Sequence, residues 1–129
     1  DGEKAGKRSS RFSRVVMNTA KQCKRLWFPE ISAPLPFGTA IQELAVPESA
    51  LFIPWLEGER MPLSQALAGK TGMKDVIFFI GPEGDFSPDE VKLAMDAGAV
   101  PVSLGRNVLK VDTAAIAVVA CAVLMRKGQ

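Results

Sequence analysis

The chain has the composition of an ordinary globular protein. With 129 residues, 47% hydrophobic and 23% charged, it is long enough to bury a core and too apolar to be disordered. The absence of histidine excludes histidine-based triads and the common zinc sites, and two distant cysteines add no metal-binding pattern. Since no apolar run is long enough to cross a bilayer and no signal-peptide pattern opens the sequence, we expect a cytoplasmic protein without metal or membrane contact.

Charge is unevenly distributed along the chain. Residues 1–28 contain eight Lys and Arg against two acidic residues, a balance of +6. Because the net charge of the chain is +2, the remainder carries −4. A basic segment of this kind suits a surface that contacts phosphates, and it is equally typical of a solvated helix face.

The first third of the chain predicts a helix behind a flexible lead-in. Residues 1–10 are rich in Gly, Ser and Lys, so we predict a lead-in there and a single domain over residues 11–129. From about Ser10 to Leu26, apolar residues recur every three or four positions, which predicts an amphipathic helix that ends before Pro29. Residues 30–33 then predict a short strand.

Short helices and strands alternate over the middle of the chain. We predict helices over Phe37–Leu44 and Leu63–Ala68, and an apolar strand over residues 50–55 between them. Residues 75–80 predict the next strand, which lies at the centre of a parallel sheet because its apolar run indicates burial on both faces.

A glycine loop follows that strand and opens a helix. Gly81 and Gly84 permit a sharp turn and a close approach of backbone to ligand. Ser87 is a good N-cap, and Glu90 completes a capping box. Ligands of open α/β sheets bind beyond the carboxyl ends of strands, at loops of this kind. A plain strand-to-helix turn with two structural glycines remains the alternative.

The same arrangement recurs near the C-terminus. Residues 100–104 predict a strand, residues 104–110 a second glycine loop, and Asp112 or Thr113 the cap of a helix that runs to about Arg126. That helix is apolar all round, which predicts burial by threading through the core or in a subunit interface. The alternation of strands and helices indicates an α/β fold with a mainly parallel sheet and helices on both faces.

Together the motifs resemble those of RsmE, the family of small-subunit ribosomal RNA uridine-N3 methyltransferases of the SPOUT class. The matching residues are Gln22-Cys23 with Arg25, Gly81-Pro82-Glu83-Gly84 with Phe86-Ser87, and Leu104-Gly105 with Val108-Leu109-Lys110 and Asp112-Thr113-Ala114. The resemblance implies a SPOUT-like domain with a C-terminal trefoil knot. It also implies S-adenosylmethionine as cofactor, small-subunit ribosomal RNA as substrate, and a homodimer formed through the C-terminal helix.

The resemblance also assigns roles to individual residues. Arg25, Arg106 and Lys110 would contact RNA, and Lys110, Arg25 or Arg106 would stabilise negative charge on the uracil oxygens. Asp112 would be the general base, or would instead cap the last helix. The implied cofactor contacts are Ile53, Pro54, Ile80, Gly81, Pro82, Glu83, Gly84, Leu104, Gly105, Val108, Leu109 and Thr113.

Some positions depart from the family pattern. Asp85 stands where a second glycine is usual, Asn107 and Lys110 where arginine is usual, and Asp112 where glutamate is usual. The family also carries an N-terminal RNA-binding domain, so we expect residues 11–129 to be a truncated methyltransferase domain. Two alternatives stay open: a non-catalytic knotted module for dimerisation or RNA binding, and a SPOUT methyltransferase that acts on another RNA.

Overall fold

The computed structural model describes residues 2–24 and 26–125, with side chains described at 6–7, 9–24 and 26–125. Contacts between Cα atoms divide the chain into two compact units, Asp1–Pro36 and Phe37–Gln129. This boundary differs from the one expected after residue 10. The interpretation of residues 11–129 as one truncated domain stays a prediction.

The first unit contains one long helix, α1, over Gly2–Gln22. The predicted start near Ser10 was wrong, because Lys, Ala and Arg at the preceding positions are good helix formers and outweigh Gly6. The helix ends where Lys24 takes a left-handed φ of +53°. The strand predicted over residues 30–33 was also wrong: these residues form neither strand nor helix, between prolines that cannot donate to a sheet.

The second unit is an α/β structure built on a parallel sheet. Its elements are α2 (Phe37–Leu44), β1 (Ser49–Pro54), β2 (Met61–Pro62), α3 (Leu63–Ala68), β3 (Asp75–Phe78), α4 (Pro88–Asp96), β4 (Val100–Ser103) and α5 (Val111–Met125). The four strands formed by the described residues lie in the order β2-β4-β1-β3, and every neighbouring pair is parallel. The predicted α/β class with a mainly parallel sheet is therefore confirmed, and the trefoil knot stays a prediction. The two-residue strand β2 was not predicted.

Strand β1 joins two cores that lie on opposite faces of the sheet. Leu51 and Ile53 pack with buried residues of α2 and α4, and Ala50 and Phe52 pack with those of α3, β4 and α5. Successive side chains of a strand point to opposite faces, so helices cover both faces as predicted. The buried partners are Ile41, Val91 and Ala94 in the first core and Leu63, Ala66, Val102 and Val118 in the second.

Strand β3, predicted to be central, lies at the edge of the sheet formed by the described residues. It pairs with β1 alone, and Val76, Ile77 and Phe78 are only half-buried. The central position belongs to β1, whose residues from Ala50 to Ile53 are all buried. A continuous apolar run indicates two covered faces, but it does not set the order of strands.

Helix α4 begins as the sequence predicts. The Ser87 hydroxyl accepts a hydrogen bond from the Glu90 backbone N–H at 3.3 Å, and the Glu90 carboxylate accepts one from the Ser87 N–H at 2.9 Å. This capping box orients the chain as it leaves the first glycine loop. On the exposed side of α4, a hydrogen bond of 2.9 Å to Asp96 raises the pKa of Lys92.

Helix α5 buries only one narrow stripe, which contains Ala114 and Val118. Ile116 is 71% exposed and Leu124 is 84% exposed, so the remaining apolar faces are not covered by the described chain. The helix begins at Val111, so Asp112 and Thr113 lie within its first turn and neither is the predicted N-cap. The predicted end at Arg126 lies outside the described residues. No helix in the described ranges has the length and hydropathy that a bilayer span requires.

Candidate active site

A cavity lies beyond the carboxyl ends of three neighbouring strands. Because β1, β3 and β4 run parallel, Pro54, Ile80 and Leu104 emerge at the same edge of the sheet. The start of α5 forms a further wall, and the volume of this open cavity is about 730 Å³. The two glycine loops therefore face one shared space, as the sequence predicts for a ligand site in an α/β sheet.

The structure brings ten of the predicted site residues together at this cavity. Ile53 instead lies wholly buried in the sheet, and Gly84, Gly105, Arg106 and Thr113 are not among the wall residues. Arg25 lies outside the described residues. Contact of any of these residues with a cofactor or RNA stays a prediction. The ten wall residues are Pro54, Ile80, Gly81, Pro82, Glu83, Leu104, Val108, Leu109, Lys110 and Asp112.

Sequence reasoning missed seven further wall residues. Some of them follow the predicted strand ends directly, and others lie on the first two turns of α5, whose small side chains leave room in the cavity. For Trp55, Leu56 and Asp85, their place in the loops that follow β1 and β3 is the signal that could have found them. They are Trp55, Leu56, Asp85, Val102, Val111, Ala114 and Ala115.

The first glycine loop packs on an aromatic side chain. A Cβ atom on Gly81 would lie 3.1 Å from Cδ2 of Phe86 and 3.3 Å from a carboxylate oxygen of Asp85, which is closer than ordinary van der Waals contact. Phe86 in turn stacks on Phe37 at 5.1 Å between ring centroids. A side chain at position 81 would therefore make Phe86 or Asp85 shift by a few tenths of an ångström.

Asp85 ties the first glycine loop to the loop that follows β1. Its carboxylate accepts hydrogen bonds from the Phe86 N–H at 2.9 Å and from the Leu56 N–H at 3.0 Å. Its own N–H donates to the Pro82 carbonyl at 2.9 Å, and its φ is +62°. Aspartate tolerates this left-handed conformation, which explains how it replaces the usual glycine. The departure from the family pattern thus adds a contact between two cavity walls.

The loop after β1 is held by contacts around Trp55. The Trp55 N–H donates to the Val102 carbonyl at 3.2 Å, and Arg60 donates to the Trp55 carbonyl at 2.9 Å. A Cβ atom on Gly58, whose φ is +65°, would lie only 2.4 Å from a ring carbon of Trp55. The indole therefore packs directly on the Gly58 backbone.

The second glycine loop and the start of α5 bring the Lys110 ammonium group and the Asp112 carboxylate to the same cavity. Gly105 has a φ of +125°, and its backbone N–H and carbonyl both bond the Ser103 hydroxyl. The chain then turns into α5, where the Ala114 N–H donates to the Lys110 carbonyl at 2.8 Å. The Asp112 carboxylate accepts from the Thr113 N–H at 2.8 Å.

The cavity combines apolar walls with an excess of formal negative charge. Its charged wall residues are three carboxylates, those of Glu83, Asp85 and Asp112, and one ammonium group, that of Lys110. Pro54 and the apolar residues of the second loop supply flat hydrophobic surface, and the glycine loops expose backbone donors and acceptors. Such walls suit a ligand with an aromatic part and a positive charge. Within the described part of the chain, no cluster of three or more His, Cys, Asp or Glu side chains could hold a metal ion.

Comparison with known proteins gives one consistent family. The sequence pattern of the RNA methyltransferase domain matches residues 1–123. Ribosomal RNA small subunit methyltransferase E of Synechocystis sp. is 33% identical over 104 residues, which cover 81% of this chain and 34% of that protein. Two solved structures share the fold.

The first is a ribosomal RNA small subunit methyltransferase E from Neisseria gonorrhoeae bound to S-adenosylmethionine, with a TM-score of 0.79 and 26% identity. The second is a Legionella pneumophila protein described as a methyltransferase, in complex with the same cofactor, with a TM-score of 0.75 and 30% identity. Each alignment covers 96% of this chain and 48% of the other.

The match extends over nearly all of this chain but over only part of its relatives. The chain spans about a third of the Synechocystis protein and about half of the two solved chains. The family pattern nevertheless covers both glycine loops and most of α5. The chain therefore belongs to the RNA methyltransferase domain family, and its predicted resemblance to RsmE is confirmed.

Proposed function

We propose that this chain is an S-adenosylmethionine-dependent methyltransferase that acts on small-subunit ribosomal RNA and methylates N3 of a uridine. One observation carries the proposal: both glycine loops and the start of α5 line a single cavity with an excess of negative charge. Similar proteins bound to S-adenosylmethionine support this choice of cofactor.

The cavity fits this cofactor in size and chemistry. A volume of about 730 Å³ lies within the range of small-molecule sites. Pro54, Val108 and Leu109 offer apolar surface for an adenine ring, and the backbone of the first glycine loop offers hydrogen bonds to it. Glu83 and Asp85 favour a positively charged sulfur by Coulomb attraction.

The chemistry assigned to the chain is orientation, charge stabilisation and proton removal. Bound S-adenosylmethionine supplies a methyl group on positively charged sulfur; the new bond forms at uridine N3 as the carbon–sulfur bond breaks, and its electron pair stays on sulfur. In this proposal the Lys110 ammonium stabilises negative charge on a uracil oxygen. Asp112 takes the N3 proton through the carboxylate oxygen that does not face the Thr113 N–H. Arg25 and Arg106 contact the RNA.

The proposal includes a homodimer formed through α5. Val119 and Val123 are each 59% exposed, and Leu124 is 84% exposed, so an apolar surface on this helix is available to a second copy. It also includes the SPOUT trefoil knot and a cytoplasmic location.

Methyl transfer followed by nucleoside analysis tests the proposed function. Small-subunit RNA is incubated with the chain and S-adenosylmethionine labelled on its methyl group, and the RNA is then digested to nucleosides. We expect label in 3-methyluridine. Label in another base, or in another RNA, would favour the alternative SPOUT methyltransferase. Binding of cofactor without any transfer would favour the non-catalytic module.

A further inference from the structure

We infer that α1 binds the phosphate backbone of RNA through one basic stripe. The stripe is composed of four cationic residues and one amide: Lys7, Arg11, Arg14, Lys21 and Asn18. The inference rests on the proposed function because RNA is the partner, and it adds a binding surface that lies outside the cavity. The stripe belongs to the first unit of the chain, whereas all the wall residues of the cavity belong to the second.

The stripe follows from the geometry of the helix. Its five positions are separated by four, three, four and three residues, and at about 3.6 residues per turn they share one face of α1. From the first to the last position the stripe extends about 21 Å along the axis, at about 1.5 Å per residue. All five side chains are exposed. Several phosphates of one RNA strand can therefore contact the same face.

The charge pattern of α1 differs from that of a solvated helix. No acidic residue occurs between Glu3 and Glu30. Solvated helices usually alternate opposite charges at spacings of three or four residues. Here Arg11 and Arg14 carry like charges three residues apart, a spacing at which side chains are neighbours on a helix and like charges repel each other. A polyanion along this face would relieve that repulsion.

RNA suits the stripe better than a membrane does. Two arginines on the stripe can each bind a phosphate through paired N–H donors, and Asn18 can donate to a phosphate or to a ribose hydroxyl. The family assignment is to an RNA methyltransferase domain. Exposed apolar residues elsewhere on α1, including Phe12 at 53% and Val15 at 55%, would also be present in a membrane-surface helix. An anionic membrane is therefore the competing result in the test.

RNA binding by the full chain tests the inference. The variant Arg11→Gln/Arg14→Gln/Lys21→Gln keeps good helix formers and removes three positive charges from the stripe. Fluorescence anisotropy with a short labelled single-stranded RNA of mixed sequence is measured over a range of NaCl concentrations. We expect the variant to bind at least about tenfold more weakly at about 0.1 M salt. Its plot of log affinity against log salt should be shallower by about 2, because each lost phosphate contact contributes about 0.7.

Two controls separate the stripe from general effects of charge. Arg11→Lys/Arg14→Lys keeps both charges and should retain most of the salt dependence. Lys70→Gln/Lys74→Gln/Lys92→Gln removes three positive charges from the second unit and should lose much less affinity. Circular dichroism establishes that each variant keeps its helical content.

Several outcomes would overturn the inference. These are wild-type affinity and salt slope in the stripe variant, an equal loss in the second-unit control, and no RNA binding by the wild-type chain. A fourth is loss of binding to phosphatidylserine vesicles with RNA binding unchanged, which would assign the stripe to membranes. Calorimetry with S-adenosylmethionine keeps this test separate from the proposed function. The stripe variant should bind the cofactor normally, and a wild-type chain that binds none would count against the proposed cofactor site alone.

Discussion

The link made by Asp85 gives a sharp prediction about the cavity. Asp85→Ala removes the acceptor for both the Leu56 and the Phe86 N–H groups. It also leaves a non-glycine residue at a φ of +62°. We expect the loop after β1 to lose its connection to the first glycine loop, and S-adenosylmethionine to bind more weakly because binding must then order both loops.

The size of the effect follows from the lost hydrogen bonds. A hydrogen bond to a charged group contributes about 1.5–3 kcal/mol, and the Leu56 bond is exposed, so its contribution lies at or below the lower end of that range. Without the link, cofactor binding must supply the free energy that orders the two loops. If that free energy is about 1.4 kcal/mol, the Kd for S-adenosylmethionine rises about tenfold. Loss of both bonds should also lower the free energy of unfolding by about 2 kcal/mol.

Three variants separate hydrogen bonding from backbone strain. Asp85→Gly loses both bonds but relieves the left-handed conformation, so it should be more stable than Asp85→Ala by about 1 kcal/mol and should bind cofactor equally weakly. Asp85→Asn keeps one acceptor oxygen and should lie between Ala and the wild type. Asp89→Asn, which removes a carboxylate from the first turn of α4, serves as the control.

Isothermal titration calorimetry measures the Kd, and urea denaturation measures the free energy of unfolding. If folded Asp85→Ala binds S-adenosylmethionine with the wild-type Kd, the link is not needed to shape the cavity.

Other substitutions test separate parts of the structure. Gly58→Ala should lower the free energy of unfolding by about 2 kcal/mol, because its Cβ would lie 2.4 Å from a ring carbon of Trp55. Gly6→Ala, in open space on α1, should raise the free energy of unfolding by about 0.5–1 kcal/mol. Urea denaturation measures both changes. Ser87→Ala should cost about 1 kcal/mol by the same assay, since the capping box is lost; no change would show that α4 does not need it. Lys110→Gln should lower kcat about 10²-fold and leave cofactor affinity nearly unchanged. Lys110→Arg is the charge-conserving control. Weaker cofactor binding at unchanged kcat would contradict the role proposed for Lys110.

Local signals explain why the first glycine loop was predictable. An apolar run, two glycines and a capping box all lie within 15 consecutive positions, residues 76–90. The capping box depends only on Ser87 and Glu90, which are three residues apart. Such contacts form within one segment, so their sequence pattern is sufficient to place them.

Long-range contacts explain what was missed. The Asp85–Leu56 bond joins residues that are 29 positions apart, and no local pattern marks it. The edge position of β3 depends on how strands pair across the whole sheet. The narrow buried stripe of α5 was also not predictable, because a helix that is apolar all round does not mark which of its faces the rest of the chain covers.

Calorimetry with S-adenosylmethionine tests the central claim most directly. Ala115 lines the cavity, so Ala115→Trp should fill part of it, whereas Ala68→Trp places the same side chain at an exposed position of α3 away from the wall. We expect saturable binding to the wild-type chain and to Ala68→Trp, and none to folded Ala115→Trp. Equal binding to all three proteins, or to none of them, would contradict the assignment of this cavity as the methyl-donor site.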